Sequence, residues 1–278
     1  MSFFDKMFDK KICSICGAPI DYFKNNKLLN GNCCQKCASE LSPWFNNLNN
    51  STVENIRYQI YWRRENNKKL QLFYPTISLG TDFKVLIDEI KSQFTIARNG
   101  NYIQDKSDII SCANITSCNI DIKENKKEVK YKDSNGEKHS FVPPFYAYSY
   151  DFFVSIDVNI PYIKTMKFKL NKNRINNGQN LIVDMPQTGI FNKFKDKMFS
   201  DRSFNGKTSN IDEVTSSVEY KKYEGLANEI KEKLYYQKQK IYNQLALENS
   251  KIRCPWCNSK VINTETHCPY CDGPIDIK

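Results

Sequence analysis

Histidine is nearly absent from this chain: two residues in 278, His139 and His267. Enzymes that rely on a ring nitrogen as base or metal ligand have little to work with here. His139 falls in a turn-like segment with no nucleophile-and-base arrangement around it, and His267 adjoins Cys268. Glycine is sparse too, with 10 residues, and no phosphate-cradling or dinucleotide-binding glycine pattern occurs. The H-E-x-x-H and G-x-S-x-G patterns are also missing. The expectation is a protein that is not an enzyme and takes no small-molecule substrate. No apolar run approaches the roughly 20 residues of a membrane-spanning helix. Residues 1–11 lack a signal-peptide core of about 7–15 apolar residues. A cytoplasmic location is therefore expected, where stable disulfides are disfavoured. Acidic residues are outnumbered, 31 against 41 Lys+Arg, for a net charge of +10. That excess invites nucleic acid or an anionic membrane surface as partner. A genome bias toward Asn, Lys and Ile codons accounts for it equally well.

Cysteine is what the chain does have. Of 11 cysteines, eight form four C-x-x-C pairs: Cys13/Cys16, Cys34/Cys37, Cys254/Cys257 and Cys268/Cys271. Two intervening residues let one tight turn aim both sulfurs at one ion, and two such pairs complete a tetrahedral zinc site. Gly17 can take positive φ in the first turn, and Pro255 and Pro269 pre-set φ in the last two. Segments of about thirty residues cannot bury enough apolar surface to fold unaided. A structural zinc supplies roughly 10–16 kcal/mol of apparent binding energy. Two structural Zn²⁺ ions are expected, one at each end. C-P-Y-C also occurs in glutaredoxins, but the few residues after Cys271 include Gly273 and Pro274, which leaves no room for the helix that chemistry needs. Cys33 would give C-x-x-x-C, so spacing selects Cys34. Cys112 and Cys118 lie in a β-like region and read as small buried residues.

Between the cysteine modules the hydrophobic period changes twice. Ser51-x-x-Glu54 reads as a capping box opening a solvated linker helix that ends before Pro75. Val53, Ile56 and Ile60 form its narrow apolar stripe. Arg57, Arg63, Arg64, Lys68 and Lys69 give it positive charge. From about residue 82 the period is two, predicting strands over 84–88, 93–98, 109–110, 115–122, 127–132, 145–158, 165–170 and 181–183. Residues 185–215 read as a long loop. Residues 218–247 read as a helix with Tyr223, Leu226, Ala227, Ile230 and Leu234 on one stripe. Trp44 and Phe45 are expected to cover the first zinc module, and Trp256 and Tyr270 to pack against the last. The fold class is α+β: an antiparallel β-rich central domain, pleckstrin-homology-like with a C-terminal capping helix, flanked by two four-cysteine zinc modules. The division is 1–50 N-terminal zinc module, 51–75 linker helix, 76–250 β-rich domain and 251–278 C-terminal zinc ribbon.

C-S-I-C-G followed by K-L-L-N-G-N-C-C-Q-K-C-A-S-E-L-S-P-W-F resembles a family of uncharacterised bacterial proteins that begin with a four-cysteine zinc module. S-T-V-E-N-I-R-Y-Q-I, V-L-I-D-E-I, I-T-S-C and P-P-F-Y-A-Y-S-Y-D-F are similar-looking later stretches. The resemblance implies Cys34 and Cys37 as the second ligand pair and is compatible with a C-terminal ribbon. It implies no activity. The leading functional expectation is an adaptor with a protein partner. The alternatives are nucleic-acid binding, through Trp256 and Tyr270 with Lys251, Arg253 and Lys260, and attachment to an anionic membrane. For the membrane, residues 1–12 carry Phe3, Phe4, Met7 and Phe8, and the basic stretch 160–207 carries Phe191, Phe194, Met198 and Phe199 among its lysines.

Overall fold

The computed structural model describes residues 11–20, 24–133, 135–176, 182–184, 214–262, 264 and 266–275. The predicted 185–215 loop, apart from residues 214–215, lies outside them, as do the first ten residues.

The chain opens with two small hairpins, β1 (Lys11–Ile12) with β2 (Pro19–Ile20) and β3 (Asn25–Lys27) with β4 (Asn32–Cys34). A one-turn helix α1 (Gln35–Ser39) follows, then α2 (Val53–Asn67). The α2 N-cap is Thr52, whose hydroxyl accepts from the Asn55 amide, and not Ser51. Ser51 instead donates back to the Asn47 carbonyl, and Glu54 accepts from Asn30. The expected capping box is therefore replaced by a tertiary contact.

Nor is α2 solvated all round. Val53, Ile56, Gln59, Ile60, Arg63 and Asn66 are buried along one face. Val53, Ile56 and Ile60 share a core with Ile20, Leu28, Cys33 and Leu41 of the first module. The lower part of the helix docks on the β-rich domain: Arg63 donates to the Lys106 carbonyl and faces Asp108 at 3.7 Å. Trp44 packs against the large central core, while Phe45 covers the first module.

Two four-stranded sheets form the centre. The first has the order β5 (Ile77–Gly80), β6 (Phe83–Asp88), β7 (Gln93–Arg98), β8 (Ile110–Ser111), all antiparallel. In the second, β9 (Ile115–Lys132) and β10 (Lys138–Ile160) make a long hairpin, β11 (Ile163–Lys169) pairs with β10, and β12 (Ile182–Asp184) joins β9 in parallel. Two predicted strands, 115–122 and 127–132, are thus one. The intervening Lys–Glu–Asn residues stay extended because each is paired across to β10. The ladder shifts between Ser140 and Phe145, where Pro143 and Pro144 have no N–H to give it.

Helix α3 (Val218–Asn249) is capped by Ser217. It buries Tyr220, Tyr223, Ala227, Ile230 and Leu234 against a core containing Ile87, Phe94, Ile115, Phe152, Val154 and Ile156. Leu226 is only partly buried. Further along α3, Tyr242, Leu245 and Leu247 are exposed. The chain then enters a last hairpin, β13 (Lys251–Arg253) with β14 (Lys260–Ile262).

Candidate metal centres

The first cysteine pair sits in the turn joining β1 and β2. The Gly17 amide donates to the Cys13 carbonyl at 2.8 Å, and Gly17 holds φ at +76°. The last two pairs use the same turn. Asn258 donates to Cys254 and Asp272 to Cys268, with φ of +61° and +57°. Gly, Asn and Asp are the residues that visit this left-handed region most readily. Cys34/Cys37 differs: Cys34 is the N-cap of α1, and its sulfur accepts from the Cys37 amide.

These turns bring the sulfurs of Cys13, Cys16, Cys34 and Cys37 together at one end and those of Cys254, Cys257, Cys268 and Cys271 at the other. Cys13 to Cys37 is 3.9 Å and Cys16 to Cys34 is 3.8 Å. Cys254 to Cys271 is 3.7 Å and Cys257 to Cys268 is 3.6 Å. Zn–S bonds of about 2.3 Å in a tetrahedron put the sulfurs about 3.8 Å apart, whereas a disulfide would bring them to about 2.05 Å. All the cysteines are free thiols. The donor set and spacing fit a soft divalent ion held by four thiolates.

The electrostatics fit as well. Burial raises the Cys13 thiol, but the backbone N–H groups of Cys34, Cys16 and Ile15 more than offset it and hold the thiol down to about 6. The Cys34 amide lies 3.3 Å from that sulfur. The side chain and amide of Ser259 lower Cys257 to about 6. Their partners move the other way. Burial, then the neighbouring sulfurs, push Cys37 up. Cys271 is drawn down by the Gly273 amide, yet Cys257 and the other sulfurs drive it up to about 12. Each cluster thus ionises its first thiol easily and resists further charge, a conflict that a bound cation relieves. The amides of Trp256 and Tyr270 also point at sulfurs, those of Cys254 and Cys268, each at 3.4 Å.

Cys33 stays apart. It is fully buried in the module core, its thiol meets the Cys34 carbonyl, and burial pushes it up to about 12. Cys112 and Cys118 are buried in the central core, and burial raises them to about 12 and about 11. Trp256 and Tyr270 are 69% and 72% exposed, but the Trp256 ring does lie against its module, so close to Gly273 that a Cβ there would meet the indole Cδ1 at 2.5 Å. The module's own small core is made of Cys254, Val261, Cys268 and Ile275. Trp256 is nonetheless held, its indole N–H donating to the Pro274 carbonyl at 3.0 Å.

Sequence reasoning missed a third grouping, Asp133, Glu137 and His139, at the tip of the β9–β10 hairpin. His139 Nε2 lies 2.7 Å from Asp133 Oδ2, and this contact first, then the Glu137 and Asn135 amides, lowers the Asp133 carboxyl despite slight desolvation. Asp133 Oδ1 accepts from the Asn135 and Glu137 amides. The carboxylate is committed to closing the turn, and the D-S-N-G signal at 133–136 is the trace of it in the sequence.

Residues 11–59 match the model of a family described as a domain of unknown function (DUF4428). The match spans the first metal centre and the start of α2. No curated protein and no solved structure matches the chain.

Proposed function

We propose that the chain is a non-catalytic, zinc-binding adaptor of the cytoplasm whose partner is a protein. In this reading both clusters hold structural Zn²⁺. Cys13, Cys16, Cys34 and Cys37 bind one ion, and Cys254, Cys257, Cys268 and Cys271 bind the other. The observation that carries it is the sulfur spacing of 3.6–3.9 Å in both clusters. Four thiolates complete zinc's tetrahedron and leave no position for a reacting water. Four antiparallel strands, three more and a helix packed on them follow the order of a pleckstrin-homology-like domain. That order supports such a fold for the centre, a scaffold that presents surfaces to many kinds of partner.

The engagement of the cations favours a protein over a polyanion. Arg57 donates to the Ser14 carbonyl, Arg64 to Glu40 and Lys68 to Glu65. Lys167 pairs with Asp121, and Lys169 and Arg174 pair with Asp151. These are six of the basic residues that the sequence offered for phosphate contacts; Lys193, Lys195, Lys197, Arg202 and Lys207 lie outside the described residues. One observation favours the nucleic-acid alternative: the exposed rings of Trp256 and Tyr270, which could stack on bases. Against it, a zinc ion with four thiolates beside them carries a net negative charge.

Elemental analysis of the purified protein should give about two zinc ions per chain. A value near one, or disulfides within either cluster under reducing conditions, would overturn the metal assignment. Titration with oligothymidine and with phosphatidylserine vesicles at physiological salt should show no binding. Salt-sensitive binding of the oligonucleotide that depends on Trp256 would select the nucleic-acid reading.

A further inference from the structure

The two metal modules differ in what stands behind their sulfurs. In the first, Cys13 and Cys37 share a core with seven further residues, three of which, Val53, Ile56 and Ile60, belong to α2. In the last, the core is Cys254, Val261, Cys268 and Ile275, and two of those four are ligands. Among the described residues, Val261 and Ile275 are thus all that the last module buries apart from its cysteines. Two apolar side chains cannot hold a segment of about thirty residues. That module stands only while its four sulfurs are tied together.

The four sulfurs are unequal. Cys254 and Cys268 are buried, and each accepts the amide of a ring residue two positions on, Trp256 and Tyr270. Cys257 and Cys271 are exposed. As ligands they are thiolates, the form that attacks an oxidant. Each has a sulfur of the opposite turn close by: Cys268 lies 3.6 Å from Cys257, and Cys254 lies 3.7 Å from Cys271. Trp256 depends on the same junction. It belongs to the Cys254/Cys257 turn, yet its N–H donates to Pro274 and its ring rests on Gly273, both beyond Cys271. Cys16 of the first cluster is exposed too. There the larger core keeps the remaining ligands in place, so a broken bond re-forms.

We propose that Cys257 and Cys271 form an oxidation site for hydroperoxides, and that the disulfide made between the two turns switches off the last module while the rest of the fold stands. The inference rests on the reading of the clusters as metal sites. In the first step the Cys257 thiolate attacks the terminal oxygen of the hydroperoxide. The O–O bond breaks, the hydroxyl passes to sulfur as a sulfenic acid, and the departing alkoxide or hydroxide takes a proton from water. The Cys268 thiolate then attacks that sulfur, the S–S bond forms and hydroxide leaves. Two electrons have passed from two sulfurs to the peroxide. The same steps begun at Cys271 end on Cys254. Either way two ligands are lost, and the remaining pair cannot complete a tetrahedron. The joined sulfurs close from 3.6–3.7 Å to about 2.05 Å, and that shift at the junction unseats Trp256. Cytosolic thiols would reverse the bond.

The test uses the full zinc-loaded chain and hydrogen peroxide, with freed zinc read by a chromogenic chelator. About one of the two ions should be released in an early phase. Tryptic peptides spanning 254–260 and 261–278 should then be found joined by a disulfide. Trp256 emission, taken as the difference from Trp256→Phe, should change in the same phase. The thermal midpoint of the β-rich domain should not move, and dithiothreitol with added zinc should restore the starting ratio. Cys268→Ser, which begins without the second ion, should release none in that phase. Release of both ions together, release led by the first cluster with a Cys16–Cys34 disulfide, or zinc loss without the linked peptides would overturn the proposal and leave the metal assignment standing. So would a chain that keeps both ions. A chain that carries no zinc before peroxide is added would sink the metal assignment together with the proposal.

Discussion

The Asn66 side chain brackets the backbone of Ile109, donating from Nδ2 to its carbonyl and accepting its amide at Oδ1, both at 2.7 Å. Helix α2, which shares a core with the first metal module, is thereby paired like a strand to the loop before β8. The contact is buried, and Ile109 joins Leu70, Phe73, Leu86 and Ala97 in a satellite core.

Replacing Asn66 with Ala would strand two buried backbone groups, at a cost of about 1–3 kcal/mol for each. The urea midpoint of Asn66→Ala should fall accordingly, with the zinc content unchanged. A midpoint within error of wild type would mean that the first module and the β-rich domain are energetically separate.

This coupling explains what could and could not be seen in the sequence. The cysteine pairs were legible because ligand spacing is local: the turn that aims Cys13 and Cys16 needs only Gly17. The period of two around Met166 and Phe168 likewise revealed a half-buried strand. The face of α2 was not legible. Gln59, Arg63 and Asn66 are polar, so hydrophobic periodicity could not place them inside. Their burial depends on partners about 40 residues away in sequence, such as Asp108 and Ile109.

Asp108 should make stability depend on pH. Burial raises its carboxyl above the ordinary 3.8, against the opposing pull of Arg63 and the Ser42 hydroxyl. Folding therefore tightens its proton. The stabilisation is complete below about 3.8 and is lost as pH rises through the native value. Asp108→Asn abolishes that loss, so the variant should gain on wild type as pH rises from about 4 toward 7. Comparing the two at each pH cancels metal release in acid, which both share. A constant difference in midpoint would exclude Asp108 as the titrating group.

Cys33 and Cys34 should separate cleanly. Cys34→Ser removes one sulfur of the first cluster and should release its zinc, lowering the ratio from about two to about one. Cys33→Ser should keep both ions. It places a hydroxyl in a fully buried site with one weak partner, so it should cost about 1–3 kcal/mol of stability. Zinc loss from Cys33→Ser with retention in Cys34→Ser would reverse the ligand assignment.

Helix α3 should divide into a structural part and a projecting part. Leu234 is fully buried in the central core, and Leu234→Ala should cost about 2–5 kcal/mol. Leu245 is 52% exposed near the C-terminal end, and Leu245→Ala should shift stability by less than about 0.5 kcal/mol. The second metal module forms its own small core of Cys254, Val261, Cys268 and Ile275. Ending the chain after residue 250 should therefore leave the thermal midpoint of the β-rich domain nearly unchanged. Ending it at 217 uncovers Phe152, Val154 and Ile156, and that chain should aggregate. A monomeric, equally stable product of the second truncation would show that α3 does not close the core. Loss of stability in the first would show that the C-terminal module leans on the sheets through contacts beyond its own core.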